Sequence, residues 1–212
     1  MPEILRADAN ISEEIVLARA AEIMAVGGII AYPTETFYGL GVDATNEQAI
    51  RKIFAVKGRN FGNPISVIID KPENLFPLVQ EVPACAQKLM EVFWPGALTI
   101  VFRASAKLPS ILTAGSARIG IRISSHHGAT VLARKLSRPL TATSANLTGA
   151  RECTTAAEVN RQIGPEIDAI VDAGTTSGGK GSTIIDVTSS PPQILREGAI
   201  KRILIENLID VQ

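Results

Sequence analysis

The chain has 212 residues, 46% of them hydrophobic, and its 21 basic and 21 acidic side chains cancel; one large domain over residues 1–212 with a substantial core is expected, and bulk coating of nucleic acid is excluded. Its two cysteines, Cys85 and Cys153, make neither a disulfide framework nor a metal-ligand spacing and read as thiols in a reducing compartment. No run approaches the roughly 20 apolar residues of a membrane span, and MPEILRADAN lacks the apolar stretch of a secretory signal, so a cytoplasmic protein without membrane contact is expected.

Ser12 followed by Glu13 and Glu14 marks a helix start, with Ile15, Leu17, Ala18 and Ala21 on one face, and Gly27 and Gly28 stop it. Residues 29–32 read as a buried strand. Residues 33–41, with Pro33, Thr34, Thr36, Gly39 and Gly41, are expected to be irregular. A helix over 47–56 buries Ala49, Ile50, Ile53 and Phe54 and is capped by Thr45 or Asn46. Residues 65–69 are strand-like, 84–93 helical up to Trp94-Pro95-Gly96, and 98–102 and 119–123 strand-like. A helix over 130–136, a strand over 140–143, a helix over 156–163 and strands over 169–172, 184–187 and 193–196 follow. The alternation predicts an α/β domain. Several strands follow one another with no helix between them, which favours a mixed sheet over a purely parallel one.

Four segments could carry chemistry. In YPTETFYGLG (32–41), hydroxyls of Thr34, Thr36 and Tyr38 beside glycines suit a small polar ligand, or an ordinary strand-to-helix loop. In KGRNFGNPIS (57–66), Lys57 and Arg59 either complement a helix C-terminus or capture an anion, with Asn63 and Ser66 adding neutral hydrogen bonds. In TATSANLTG (141–149), Ser144 and Asn146 would share a face if the strand ran on, or form an Asx-type turn. A nucleophilic Ser144 is weakly supported, because the only histidines, His126 and His127, are adjacent in an expected loop.

The fourth segment, GTTSGGKGSTIID (174–186), approaches a phosphate-binding P-loop. It fails because Gly181 stands where Ser or Thr must hold magnesium, and a strand-like run follows instead of a helix. A loop over a ligand and a plain hairpin connection both stay open. Arg122 leaves its strand opposite Ile121 and Ile123, and Arg196 ends another strand. Residue chemistry alone therefore points to an α/β domain that binds a phosphorylated small molecule.

PTETFYGLG, KGRNFGNPIS, PGALTIVF, GIRIS, TSANLTG, STIID and ILREG occur in this order between about residues 32 and 198. Together they resemble the YrdC-like family, the threonylcarbamoyl-AMP synthases. The resemblance implies an α/β (α+β) fold, a twisted mixed sheet flanked by helices around a concave groove, in the single-domain form. It implies synthesis of threonylcarbamoyl-AMP from L-threonine, bicarbonate or CO2, and ATP, releasing pyrophosphate. That is the first step in threonylcarbamoyladenosine modification of ANN-decoding tRNAs. By matching positions, Lys57, Arg59, Ser144 and Asn146 would be catalytic. Arg59, Asn63, Ser144 and Arg196 would contact ATP. Thr36, Arg122, Ala142 and Ser182 would line the threonine end, Arg122 pairing the carboxylate. Mg2+ would arrive with ATP, with no metal held by protein ligands alone. tRNA-modification enzymes would be partners, and contact with tRNA itself is open.

The chain departs from the family pattern at Ile68, where some relatives carry His, at Ser124, where Pro is frequent, and at Glu152 in the loop after Gly149. Two rival readings remain: a carbamoyl-transfer maturation enzyme, whose length and zinc-finger cysteines this chain lacks, and a paralogue that binds RNA or nucleotide without synthase activity.

Overall fold

The structure, a computed structural model, describes residues 1–58 and 62–212. Its strands are β1 (Glu3–Arg6), β2 (Ile30–Tyr32), β3 (Gly39–Gly41), β4 (Ser66–Ile68), β5 (Leu98–Arg103), β6 (Arg118–Arg122), β7 (Leu140–Ser144), β8 (Ala169–Asp172), β9 (Thr183–Asp186) and β10 (Gln193–Arg196). The helices are α1 (Glu13–Ala25), α2 (Glu47–Lys57), α3 (Ala84–Phe93), α4 (His127–Leu136), α5 (Ala156–Ile163) and α6 (Arg202–Glu206), with short 3-10 turns at Pro72–Leu78 and Gly164–Glu166. The strands form one sheet in the order β1-β8-β2-β3-β7-β4-β6-β5-β9-β10. Parallel pairs (β1 with β8, β4 with β6, β5 with β9) occur beside antiparallel ones (β2 with β3, β4 with β7, β5 with β6), so the sheet is mixed as expected.

Strand alternation builds two cores from one sheet. Ile29, Ala31, Val67, Ile69, Ile119, Ile121 and Ile185 pack on the face covered by α2, α3 and α5. Ile30, Tyr32, Ile68 and Leu140 pack on the other face under α1 and α4, through Leu17, Met24, Leu132 and Leu136. The α1/α4 layer ends where apolar residues give way, at the same alternation, to Ser66 on β4 and, past Ala142, to Ser144 on β7. Beyond it the face continues as Gly120 and Arg122 on β6, Thr99 on β5 and Ile184 on β9. That uncovered stretch positions the site.

The helix ends follow local chemistry. Ser12 caps α1 by accepting from Ile15 N, and Asn46, not Thr45, caps α2 by accepting from Ala49 N at 3.1 Å. Gly58, in the left-handed region at φ 56°, closes α2. Thr155 and Glu158 make a capping box on α5, and hydrogen bonds from Thr154 lower the Glu158 pKa.

Two expectations need correction. The segment 33–41 is not wholly irregular: Gly39–Gly41 is a strand. Both glycines are needed there, because a Cβ at Gly41 would lie 2.7 Å from the Tyr32 ring and from Leu140 Cδ1. His127 is not in a loop but begins α4, with His126 as its N-cap residue. The edge strand β1 and the short helix α6 carry no strong pattern of their own and were not anticipated.

Candidate functional site

The uncovered face holds a cavity of about 270 Å³. β7 supplies Ala142, Thr143 and Ser144, and β6 supplies Arg122. The loop after β2 supplies Thr34 and Thr36, and the end of the 174–182 loop supplies Gly181 and Ser182; Arg196 comes from β10 and Glu152 from the loop after β7. Ile65, Phe37 and Ile184 give it an apolar side. Two guanidinium groups facing hydroxyls in a confined space suit a ligand with more than one anionic group.

At one side, Arg122 is buried and its Nη1 donates to Glu35 Oε1 at 3.0 Å. Ser124 Oγ donates to the other carboxylate oxygen of Glu35. The neighbouring Thr34 and Thr36 hydroxyls lie 3.2 Å apart, and Thr34 Oγ1 donates to Phe37 O at 2.7 Å. This local turn fixes the strand-to-loop corner.

At the other side, Arg196 holds the end of the 174–182 loop. Its Nε and Nη2 donate to Ser182 O at 3.1 and 2.8 Å, and Ser182 Oγ lies 2.9 Å from Thr99 Oγ1. Burial lowers the Arg196 pKa, Glu152 opposes that shift and Arg122 adds to it. Glu152 and both arginines thus share one electrostatic environment. The same loop is tied down by Gly178 N donating to Thr36 O at 2.7 Å, and by Tyr38 Oη donating to Gly174 O at 2.7 Å. Burial pushes the Tyr38 hydroxyl up to about 12 and the Cys153 thiol up to about 11, so neither ionises near neutrality.

Lys57 and Asn146 stand behind this wall. The buried Lys57 ammonium donates to Ser144 O, to Asn146 O at 2.8 Å and to Asn146 Oδ1 at 3.3 Å. Three acceptors match its three N–H bonds. Asn146 Nδ2 donates to Leu147 O and Ala150 O, at 3.0 and 2.7 Å. The pair holds the turn after β7 in shape, with Ser144 at its cavity end.

Of the residues singled out by sequence, Thr36, Arg122, Ala142, Ser144, Ser182 and Arg196 come together in the cavity lining. Lys57 and Asn146 do not line it. The extended segment ends at Ser144, so the alternation that would put Asn146 beside it stops. Asn63 is exposed and outside the lining, and Arg59 lies outside the described residues. Among the described residues of the lining there is no histidine, which leaves Ser144 without a base for nucleophilic attack. Sequence reasoning passed over Thr99, though a lone polar residue in the apolar run LTIVF was a signal. It also passed over Glu35 as the partner of Arg122, for which 87 positions of separation leave no signal. Among the described residues no helix is long and apolar enough to cross a membrane.

A family model, Sua5/YciO/YrdC, described as telomere recombination, matches residues 22–198. A threonylcarbamoyl-AMP synthase of Pyrococcus abyssi is 39% identical over 197 residues, covering 93% of this chain and 58% of the relative. One from Bacillus subtilis is 38% identical over 195 residues, covering 91% and 56%. The chain therefore spans less than two thirds of the length of these relatives. The crystal structure of P. abyssi Sua5 complexed with L-threonine superposes with a TM-score of 0.92 at 36% identity, covering all of this chain and 62% of that one.

Proposed function

The chain belongs to the Sua5/YciO/YrdC family, and on that premise we propose that it synthesises threonylcarbamoyl-AMP from L-threonine, bicarbonate or CO2, and ATP. The observation that carries this reading is the single cavity in which Arg122 and Arg196 face Thr36, Ser144 and Ser182. Arg122 would bind the threonine carboxylate through guanidinium N–H groups not given to Glu35, while Thr36, Ala142 and Ser182 flank the amino acid. Arg196 and Ser144 would face the nucleotide phosphates. Relatives from P. abyssi and B. subtilis bear the synthase name and P. abyssi Sua5 was solved with L-threonine, which supports the same assignment.

The chemistry needs no covalent enzyme intermediate. The threonine amine, as the free base, adds to CO2 and releases a proton, giving a carbamate. A carbamate oxygen attacks the α-phosphorus, the bond to the bridging oxygen breaks, and pyrophosphate leaves with that electron pair. The protein contributes alignment and fixed positive charge. Mg2+ enters with the triphosphate as part of the substrate. Among the described residues no group of three or more His, Cys, Asp or Glu comes together, and Glu152 is the one carboxylate in the lining. In this reading Lys57 and Asn146 act by shaping the turn that presents Ser144, and Arg59 and Asn63 would contact ATP on the strength of the motif alone. The product would pass to tRNA-modification enzymes in the cytoplasm, for use on ANN-decoding tRNAs.

The test is pyrophosphate release with ATP, magnesium and bicarbonate, with and without L-threonine. Release that requires both threonine and bicarbonate is expected. ATP binding without release, together with salt-sensitive RNA binding, would replace the synthase reading with that of a non-catalytic paralogue.

A further inference from the structure

Glu35 is a mostly buried carboxylate to which the proposed chemistry gives no task. It is set behind Arg122, outside the cavity lining, with its side chain 13% exposed against 8% for Arg122. Its two oxygens are committed to different partners. Oε1 accepts from Arg122 Nη1 at 3.0 Å, and Oε2 accepts from Ser124 Oγ. Ser124 is itself fixed, since its Oγ accepts from His126 N at 3.1 Å. The Glu35 backbone is held between Thr34 and Thr36, where Thr36 N donates to Thr34 Oγ1 at 3.2 Å. The carboxylate is therefore anchored by the chain on both sides.

Arg122 has no comparable support. Among the described residues Glu35 is the one hydrogen-bond partner of its guanidinium. A long side chain held at a single point loses much of its orientation when that point is removed. The opposite guanidinium differs: Arg196 is fixed by hydrogen bonds to the carbonyl and hydroxyl of Ser182, and Glu152 acts on it only through its charge.

We propose that Glu35 is a positioning residue for the amino-acid substrate, holding Arg122 through the contact Arg122 Nη1–Glu35 Oε1 so that its remaining N–H groups meet the substrate carboxylate. This rests on the functional reading above and deepens it. Ser124, one of the departures from the family pattern, is the second link: it fixes Glu35, which fixes Arg122. The task is geometric, so a neutral acceptor at the same place performs it. Removing the acceptor affects the amino acid and spares the nucleotide, whose guanidinium is held separately.

L-threonine and ATP are each titrated calorimetrically into the wild-type protein and into Glu35→Ala, Glu35→Gln and Ser124→Ala, with thermal melts of all four. In Glu35→Ala, L-threonine affinity falls by at least about tenfold while ATP affinity stays within about twofold. In Glu35→Gln both stay within about threefold of wild type, and in Ser124→Ala L-threonine weakens by about two- to fivefold. Three results overturn the proposal: a folded Glu35→Ala that binds L-threonine as wild type does, equal loss of both ligands, or a folded Glu35→Gln as defective as Glu35→Ala. If Glu35→Ala does not fold, unchanged L-threonine affinity in Ser124→Ala overturns it. Wild-type protein that binds no L-threonine defeats the functional reading itself, a result independent of every variant.

Discussion

Lys57 and Arg122 are both buried cations, one behind the cavity wall and one in it, and they are balanced in opposite ways. Lys57 meets two backbone carbonyls and an amide oxygen, all from the turn 144–146. Arg122 meets one carboxylate, lines the cavity and keeps further N–H groups for it. A cation surrounded by the oxygens of its own chain is a strut, whereas one held by a single anchored carboxylate can take a second anion. The two should therefore fail differently when removed.

The largest effect is expected at Lys57. Lys57→Met takes a donor from three acceptors of the turn 144–146, of which Ser144 O keeps the Asn146 backbone N–H, at a cost of roughly 3 kcal/mol. Urea unfolding should show it as a shifted midpoint, with affinity for L-threonine and ATP falling together as the Ser144 turn loosens. Selective loss of one ligand with full stability would break the comparison, because Lys57 would then be a ligand contact.

Arg122→Leu should separate binding from shape. Glu35 is left without its cation, costing about 3 kcal/mol of stability. The sharper result is an L-threonine affinity lowered on the order of 100-fold while ATP binds nearly as before. Equal loss of both ligands would place Arg122 with the struts.

This contrast also marks what the sequence could and could not reveal. Residues 119–123 were legible as a strand because Ile119, Ile121 and Ile123 alternate with Gly120 and Arg122, and 140–143 because two β-branched threonines alternate with Leu140 and Ala142. Arg122 and Arg196, at strand ends, and Ser144 and Ser182, by motif resemblance, were singled out from sequence, and the four line one cavity. β3 was not legible, since Gly-Leu-Gly has no strand propensity and owes its pairing to the Tyr32 ring lying across it. The roles of Lys57 and Glu35 were hidden as well. Lys57 looked like a helix C-terminal cation, yet its ammonium serves a turn 87 positions away. Pairing across such distances is fixed by strand order, which local patterns do not encode.

A third, smaller effect concerns charge in the wall rather than behind it. Glu152 lines the cavity and interacts with Arg196, where it would oppose an incoming triphosphate. Glu152→Gln should lower the KM for ATP by about two- to threefold, with little change in the KM for L-threonine, and the gain should shrink at high salt. A raised KM for ATP would instead show that Glu152 helps to hold the magnesium that accompanies it.

The smallest expected effect is a pH dependence beside the Arg122 anchor. His126 donates its backbone N–H to Ser124 Oγ, and its Nδ1 is buried without a hydrogen-bond partner among the described residues. Burial lowers its pKa below the ordinary 6.5; Glu35 and Glu13 oppose the shift, and His127 adds to it. As pH falls through about 6.5, the unfolded chain takes up a proton that the folded chain declines, so stability falls with pH. His126→Gln removes this contribution. Between pH 7.5 and 5.5 the wild-type Tm should therefore drop further than the variant's, by about 1–3 °C. If the two drops are equal, His126 does not titrate differently in the folded protein, and the Ser124 side of the anchor is insensitive to pH.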